Sequence, residues 1–332
     1  MNLMIFGDMA AGATLRRAAV SLRGDLDRLG QELVTGQTAQ PIRHLSGDLA
    51  GLAEIEHRLL TLAPQADRLA ALGQHLAAQQ TALGRLADTS QTIAAQLTSA
   101  GLPGPVQGAG QAARLAFDDA VGVMNMRLFG QALFAGADPD GQALAPPAAI
   151  LDAALAATAG AASPEALVTA LRDWFADPAG FEAAAWQGAP PDPGGSRLTP
   201  DTRMGEAVTA REPGIAGHLA ALAAGAAVAE GRFAGDIAAQ RALATAAGHA
   251  LMGADAGLID LRARLGVSEE RVDAALTRTR FEAETLERAR NDLVGLDPYA
   301  TAARLEVLRG ALEQTFVVTA RLSRLSLVEY LR

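Results

Sequence analysis

Residues 297–332 read DPYATAARLEVLRGALEQTFVVTARLSRLSLVEYLR. Within them Leu305, Leu308, Leu312, Thr315, Thr319 and Leu322 step by three, four, three, four and three. That spacing is the a/d seam of a coiled coil, which needs a facing helix to bury it. A facing seam lies near the other end of the sequence. There Leu15, Ala19, Leu22, Leu26, Leu29 and Leu33 step by four, three, four, three and four. The two stretches predict two helices of one bundle, so the first and last segments of the chain meet. A two-helix unit leaves apolar surface exposed unless neighbours cover it. The candidate assembly interface is therefore Leu15, Leu22, Leu26, Leu29 and Leu33 with Leu305, Leu308, Leu312, Leu322, Leu325, Leu327 and Tyr330.

Working inward, Gly36 closes the first helix and Pro41 marks a break across Thr38–Ile42. From Leu45 a longer seam runs through Leu49, Leu52, Ile55, Leu59, Leu62, Ala66, Leu69, Leu76, Leu83, Ser90 and Leu97. It predicts one long helix with Pro64 as a possible kink. Gly101, Pro103, Gly104 and Pro105 signal a turn. Ala113, Phe117, Ala120, Met124 and Leu128 then predict a helix packing back antiparallel. The return leg repeats every seven residues at Leu258, Leu265, Val272, Thr279, Leu286 and Leu293, with Leu261 between and charged residues elsewhere. It reads as a helix packed beside the 45–97 segment. Gly295 and Pro298 separate it from the final helix.

Residues 137–230 differ in composition, carrying both Trp and a Pro/Gly-rich loop at Pro190–Gly195. Ser163-Pro164 predicts an N-cap and first-turn proline for a helix facing inward through Leu167, Leu171 and Trp174. Short strands are expected around Trp186, Leu198 and Val208, and another helix after Pro213-Gly214. The expected fold is mainly α: an elongated antiparallel bundle or coiled coil of the N- and C-terminal segments, with a small inserted α+β domain. The expected division is 1–40 with 296–332, then 41–136 with 231–295, then 137–230 as an exposed insertion.

Composition excludes several function classes. The chain has 332 residues, 50% hydrophobic but 4% aromatic, so its apolar mass is Ala and Leu, as helix packing favours. A net charge of −9 argues against a nucleic-acid surface. All 28 basic residues are Arg, which removes the P-loop lysine and Schiff-base chemistry. With no Cys, there is no disulfide, thiolate nucleophile or cysteine-ligated metal. Residues 1–17 lack a basic start and are interrupted by Asp8, unlike a secretory signal. The longest run without a polar side chain, Leu219–Ala229, is too short for a span, so no membrane insertion is expected.

Candidate chemistry is thin. His44, His57, His75, His218 and His249 show no metal-ligand spacing. Gly108–Ala113 matches G-x-G-x-x-A but follows a turn rather than a strand, so it reads as a helix start. Asp118-Asp119 and Glu269-Glu270 point about 100° apart on a helix rather than converging. Ser196 sits in the Gly/Pro loop with no nucleophile elbow around it. No catalytic, cofactor-binding or metal residue is named, and no cofactor is expected.

Four stretches carry a resemblance. RLSRLSLVEYL at the end, LRGDLDRLGQELVTGQ near the start, LFGQALFAGADPDG at 128–141 and RARLGVSEERVDAALTRTRFEAETLERARNDL together resemble the hook-associated protein 3 family of the flagellin superfamily, in the same order and spacing. The likeness covers about 1–140 and 230–332, with Ala135 and Ala137 standing where the family usually has Ser and Thr. It implies a non-enzymatic structural subunit of the bacterial flagellum at the hook-filament junction. The implied partners are hook-associated protein 1, flagellin, further copies of the chain in a ring, and a cytoplasmic export chaperone. The implied location is extracellular, reached by type III export without a cleaved signal. A flagellin-type filament subunit and an intracellular coiled-coil binding module remain alternatives.

Overall fold

The computed structural model describes residues 2–102, 106–191, 197–199, 202, 203 and 207–330, with backbone alone for 2–12, 202 and 322–330. The expected turn residues Pro103, Gly104 and Pro105, and Ser196, lie outside the described residues. So do the side chains of Leu322, Leu325, Leu327 and Tyr330.

The fold is mainly α. Ten helices run in chain order among the described residues: α1 (Asn2–Thr35), α2 (Pro41–His44), α3 (Ala50–Ser99), α4 (Val106–Met124), α5 (Pro147–Ala157), α6 (Pro164–Ala176), α7 (Ala183–Ala185), α8 (Pro213–Ala229), α9 (Ile237–Val294) and α10 (Pro298–Tyr330). A π-helical turn at Pro178–Glu182 precedes α7. Two hairpins supply the strands. β1 (Arg127–Leu128) pairs with β2 (Gln131–Ala132), and β3 (Arg197–Thr199) with β4 (Thr202–Arg203), both antiparallel. Prolines open α2, α5, α6 and α8, where the missing N–H would have no partner. Ser163 Oγ accepts from Ala166 N at 3.2 Å, the expected N-cap. The expected break at Thr38–Ile42 contains the single turn of α2, since Pro41 begins a helix there.

The contacts divide the chain into two compact units, Met1–Pro64 with Arg280–Arg332, and Gln65–Thr279. Pro64 lies inside α3, where it withdraws a backbone donor, and the boundary falls immediately after it.

In the 65–279 unit α3, α4, α5, α6 and α9 pack around α8. Residues Ile215, Ala216 and His218–Val228 of that helix are all buried. A helix apolar all round belongs in a core, and its Ala and Gly side chains let neighbours approach closely. A Cβ placed on Gly225 would stand 2.8 Å from Ala113 Cβ of α4 and 3.0 Å from Leu97 Cδ1 of α3. One on Gly110 of α4 would meet Ala229 N at 2.9 Å. Gly214 of α8 and Gly257 of α9 abut backbone to backbone. α6 covers another side of α8 through Leu167, Leu171 and Phe175. The expected partner of α4 was the 45–97 helix, and the structure adds α8 as its principal neighbour.

α3 and α9 run antiparallel within this unit. Thr98 meets Gly248, Gly84 meets Arg262 and Gly73 meets Val272. Gln65 Nε2 donates to Thr279 Oγ1 at 3.4 Å. The heptad positions Leu69, Leu76, Leu83, Ser90 and Leu97 of α3 and Leu258, Leu265, Val272 and Thr279 of α9 are all buried, as the spacing predicts. By length and mean apolarity α9 passes the test for a membrane-crossing helix, yet its Leu243, Ala244, Ala247 and Leu251 lie in this core.

Residues 137–230 share that core with α3, α4 and α9. Of the three strand positions expected there, only Leu198 lies in a strand. Trp186 makes a single bridge with Leu144, and the Val208 carbonyl instead accepts from Gln79 Nε2 at 3.2 Å. A short apolar run beside buried helices finds its backbone partners in side chains, so no ladder is needed.

One buried pair is polar. His218 of α8 stands against Ser90 of α3, with both ring nitrogens within 3.1 Å of the hydroxyl. Ser90 Oγ donates to Leu86 O at 2.8 Å, so it accepts from the imidazole N–H. Burial lowers the His218 pKa to about 4. The unfolded chain thus binds the proton that the folded chain refuses. The stability this group contributes is complete above pH 6.5 and is lost as pH falls toward 4. The wild type should lose stability between pH 6.5 and 4, by on the order of 3 kcal/mol more than His218→Gln, in urea titrations at each pH. Gly225→Val should cost about 1–3 kcal/mol by overpacking at the α3–α4–α8 contact, read from the urea midpoint.

Candidate assembly interface

The 1–64/280–332 unit is organised by a clasp between two turns. Gly36, at φ 68°, ends α1, as only glycine adopts readily. Its carbonyl accepts from Leu296 N at 2.9 Å, and Thr38 N donates to Val294 O at 2.9 Å. Gln37 and Gly295 form the antiparallel bridge between them, and Gln37 Nε2 donates to Asn291 Oδ1 at 3.1 Å. The end of α1 is thereby fastened to the start of α10, and the two helices pack antiparallel. Asp297 caps α10 through Tyr299 N at 2.9 Å. In the same unit Arg58 Nε donates to Glu282 Oε1 at 2.6 Å, tying the first part of α3 to the last part of α9.

The expected seams face each other here. Leu29 and Thr301 are buried, while Leu15, Ala19, Leu22, Leu26, Leu305, Leu308, Leu312, Thr315 and Thr319 are each partly buried. The positions that complete heptads in the other unit are fully enclosed, and these are not. A leucine left partly in water forgoes a share of the ~1.5–3 kcal/mol that full burial yields. Thr301, Thr315 and Thr319 turn their hydroxyls back onto Asp297 O, Ala311 O and Thr315 O at 2.7–2.8 Å, so the seam offers their methyl groups.

Leu33 departs from the expected burial, being 37% exposed, while Glu32 beside it is 4% exposed. The carboxylate of Glu32 accepts from Ala39 N at 2.9 Å and lies 3.5 Å from both Thr38 Oγ1 and Arg28 Nη1. It closes the loop after α1, and that purpose takes the inward position. No local motif announced it, because its partner amide is seven residues on.

Sequence periodicity also missed a second apolar face. Phe316, Val317, Val318 and Val307 of α10 are exposed, as are Val20 and Val34 of α1. Val307 and Val318 lie eleven residues apart, about three turns, and so share one side of α10. Leu308 and Thr319, one residue further on, lie about 100° round the helix with Leu312, toward α1. α10 is apolar on two sides and α1 covers one. The signal was present in the Phe316-Val317-Val318 run, which a 3-4 step does not account for.

Elsewhere the candidate chemistry does not converge. His44, His57 and His249 are exposed, His75 is partly buried with its pKa lowered by burial, and His218 is in the core. Among the described residues no group of three His, Asp or Glu could hold a metal ion. Gly108–Ala113 lies inside α4 rather than in a strand-to-helix loop. The Phe134–Ala137 turn has Phe134 and Ala135 fully buried, and Gly136 at φ 71° with Ala189 O where a Cβ would sit.

Residues 250–331, most of α9 with α10, match the family described as the bacterial flagellin C-terminal helical region. This supports the flagellin superfamily for that segment, about a quarter of the chain, and with it a structural, self-assembling flagellar component outside the cell. No curated protein matches the chain. Glu32→Ala should free the Ala39 amide and cost about 1–3 kcal/mol. Hydrogen exchange at Ala39 should rise while exchange in α8 stays slow.

Proposed function

We propose that the chain is a non-enzymatic structural subunit at the hook-filament junction, joining hook-associated protein 1 on one side to flagellin on the other. Copies of the chain form a ring there, through Leu15, Leu22, Leu26, Leu29 and Leu33 and Leu305, Leu308, Leu312, Leu322, Leu325, Leu327 and Tyr330. The observation that carries this is the two-sided apolarity of α10, inside the segment that matches the flagellin C-terminal region. A helix apolar on both sides with one covered is a helix that neighbours complete. Before secretion an export chaperone covers the same surface, and the chain leaves by the flagellar type III route without a cleaved signal. Supporting the junction over the filament is the ending Ser326–Leu331, which resembles hook-associated protein 3.

The family match itself favours a second reading, a filament-forming flagellin. Electron microscopy of a deletion strain separates them. Loss of a junction protein leaves hooks without filaments and flagellin monomers in the medium, whereas loss of one flagellin shortens or removes filaments without that release. Deleting residues 323–332 should leave the 65–279 unit folded and abolish attachment of filaments to hooks. Normal filaments on such cells would defeat the proposal.

A further inference from the structure

The β1–β2 hairpin carries an unusual tip. Phe129 has φ 50° and Gly130 φ 84°, so both central residues of the two-residue turn are left-handed. Asn-Gly is the favoured pair in that turn, because a Cβ is strained there and Asn tolerates it best. This chain has Phe, and its side chain is 86% exposed. The turn is also rigidly held. Arg127 donates to the carbonyls of Gly130 at 2.8 Å, Asp140 at 2.9 Å, Pro139 at 3.3 Å and Gly141 at 3.4 Å. Asp138 Oδ1 accepts from Gly141 N at 3.0 Å beside it. A strained, exposed aromatic on a braced support is a preorganised anchor without its pocket.

The 1–64/280–332 unit presents a pocket of fitting chemistry. Between the end of α1, α2 and the start of α10 lies a groove of about 710 Å³. Leu29, Leu296, Val307 and Leu308 make it apolar, and Arg43 and Arg304 stand on it. Neither arginine is in an ion pair among the described residues. Gln40 Oε1, which borders the groove, is buried without a hydrogen-bond donor. The hairpin brings the complementary set: one aromatic ring, the carboxylates of Asp138 and Asp140, and backbone N–H groups.

We infer that Phe129 of one copy seats in the Arg43/Arg304 groove of a second copy. The two surfaces are different patches of the same chain, so the contact is heterologous and propagates from copy to copy. The ring fills the apolar floor, and the arginines meet the two aspartates at the rim. This rests on the reading of the chain as a self-assembling subunit.

Because the chain lacks Cys, introduced thiols report one contact each. The test uses the full chain carrying Gln131→Cys and Ala303→Cys together, expressed in cells without the native copy. Flagella are sheared off, oxidised and run without reductant. A ladder of covalent oligomers is expected from the double variant and monomer from either single one. Adding Phe129→Asn should weaken the ladder ~10-fold while leaving the urea midpoint equal or higher, since Asn relieves the turn. Arg304→Glu should weaken it similarly, and Asp140→Arg should restore it. Protein present in sheared flagella with no ladder, or a ladder unchanged by Phe129→Asn, overturns the inference and leaves the subunit reading standing. Protein absent from flagella removes the subunit reading itself.

Discussion

Two backbone hydrogen bonds, Leu296 N to Gly36 O and Thr38 N to Val294 O, decide what the 1–64/280–332 unit can be. Some 260 residues of chain separate their partners, yet they join the exit of α1 to the entry of α10. Once that junction is set, helical geometry carries Leu26, Leu22 and Leu15 past Leu308, Leu312 and Thr319 in antiparallel order. Glu32 secures the same point from beneath by holding the loop that follows α1. The seams therefore meet because their ends are pinned, and neither needs to enclose the other completely.

The 65–279 unit is built on the opposite principle. α8 is surrounded, and its glycines and alanines are there for what they leave out. Gly225 admits the Ala113 and Leu97 side chains of α4 and α3, while Gly110 lets α4 approach the α8 backbone and Gly214 lets α8 approach the α9 backbone, closer than any larger residue allows. One unit closes its core by removing side chains, while the other leaves apolar side chains uncovered on α10. The match to the flagellin C-terminal helical region falls across both.

Much of this was legible from spacing. Seven-residue repeats placed Leu69 to Leu97 and Leu258 to Thr279 in a core, because a long helix with one apolar stripe has one way to bury it. Ser163 as a cap and Gly36 as a stop are local events, decided by the backbone within a turn. The illegible parts depend on partners distant in sequence. α8 has no stripe to read, being apolar all round, so its central place follows from what packs on it. Glu32 displaced Leu33 from the interior for the sake of an amide in the next loop. Trp186 and Val208 looked like strand residues because short apolar runs do, and single bridges or side-chain donors served them instead. Among the candidate interface residues, Leu29 is enclosed, Leu33 lies open, and the Phe316–Val318 run escaped notice because it breaks the period.

The inward-turned hydroxyls of Thr315 and Thr319 have a consequence for the way α1 packs on them. A free hydroxyl on such a surface would hold water that must be stripped and replaced by a matching donor or acceptor. These two are already satisfied by their own helix, so α1 displaces only water lying over methyl groups as it packs there. Fit along that stretch is then judged by contour rather than by pairing of polar groups. A joint of that kind tolerates slippage of one helix along the other without a mispaired group to punish it.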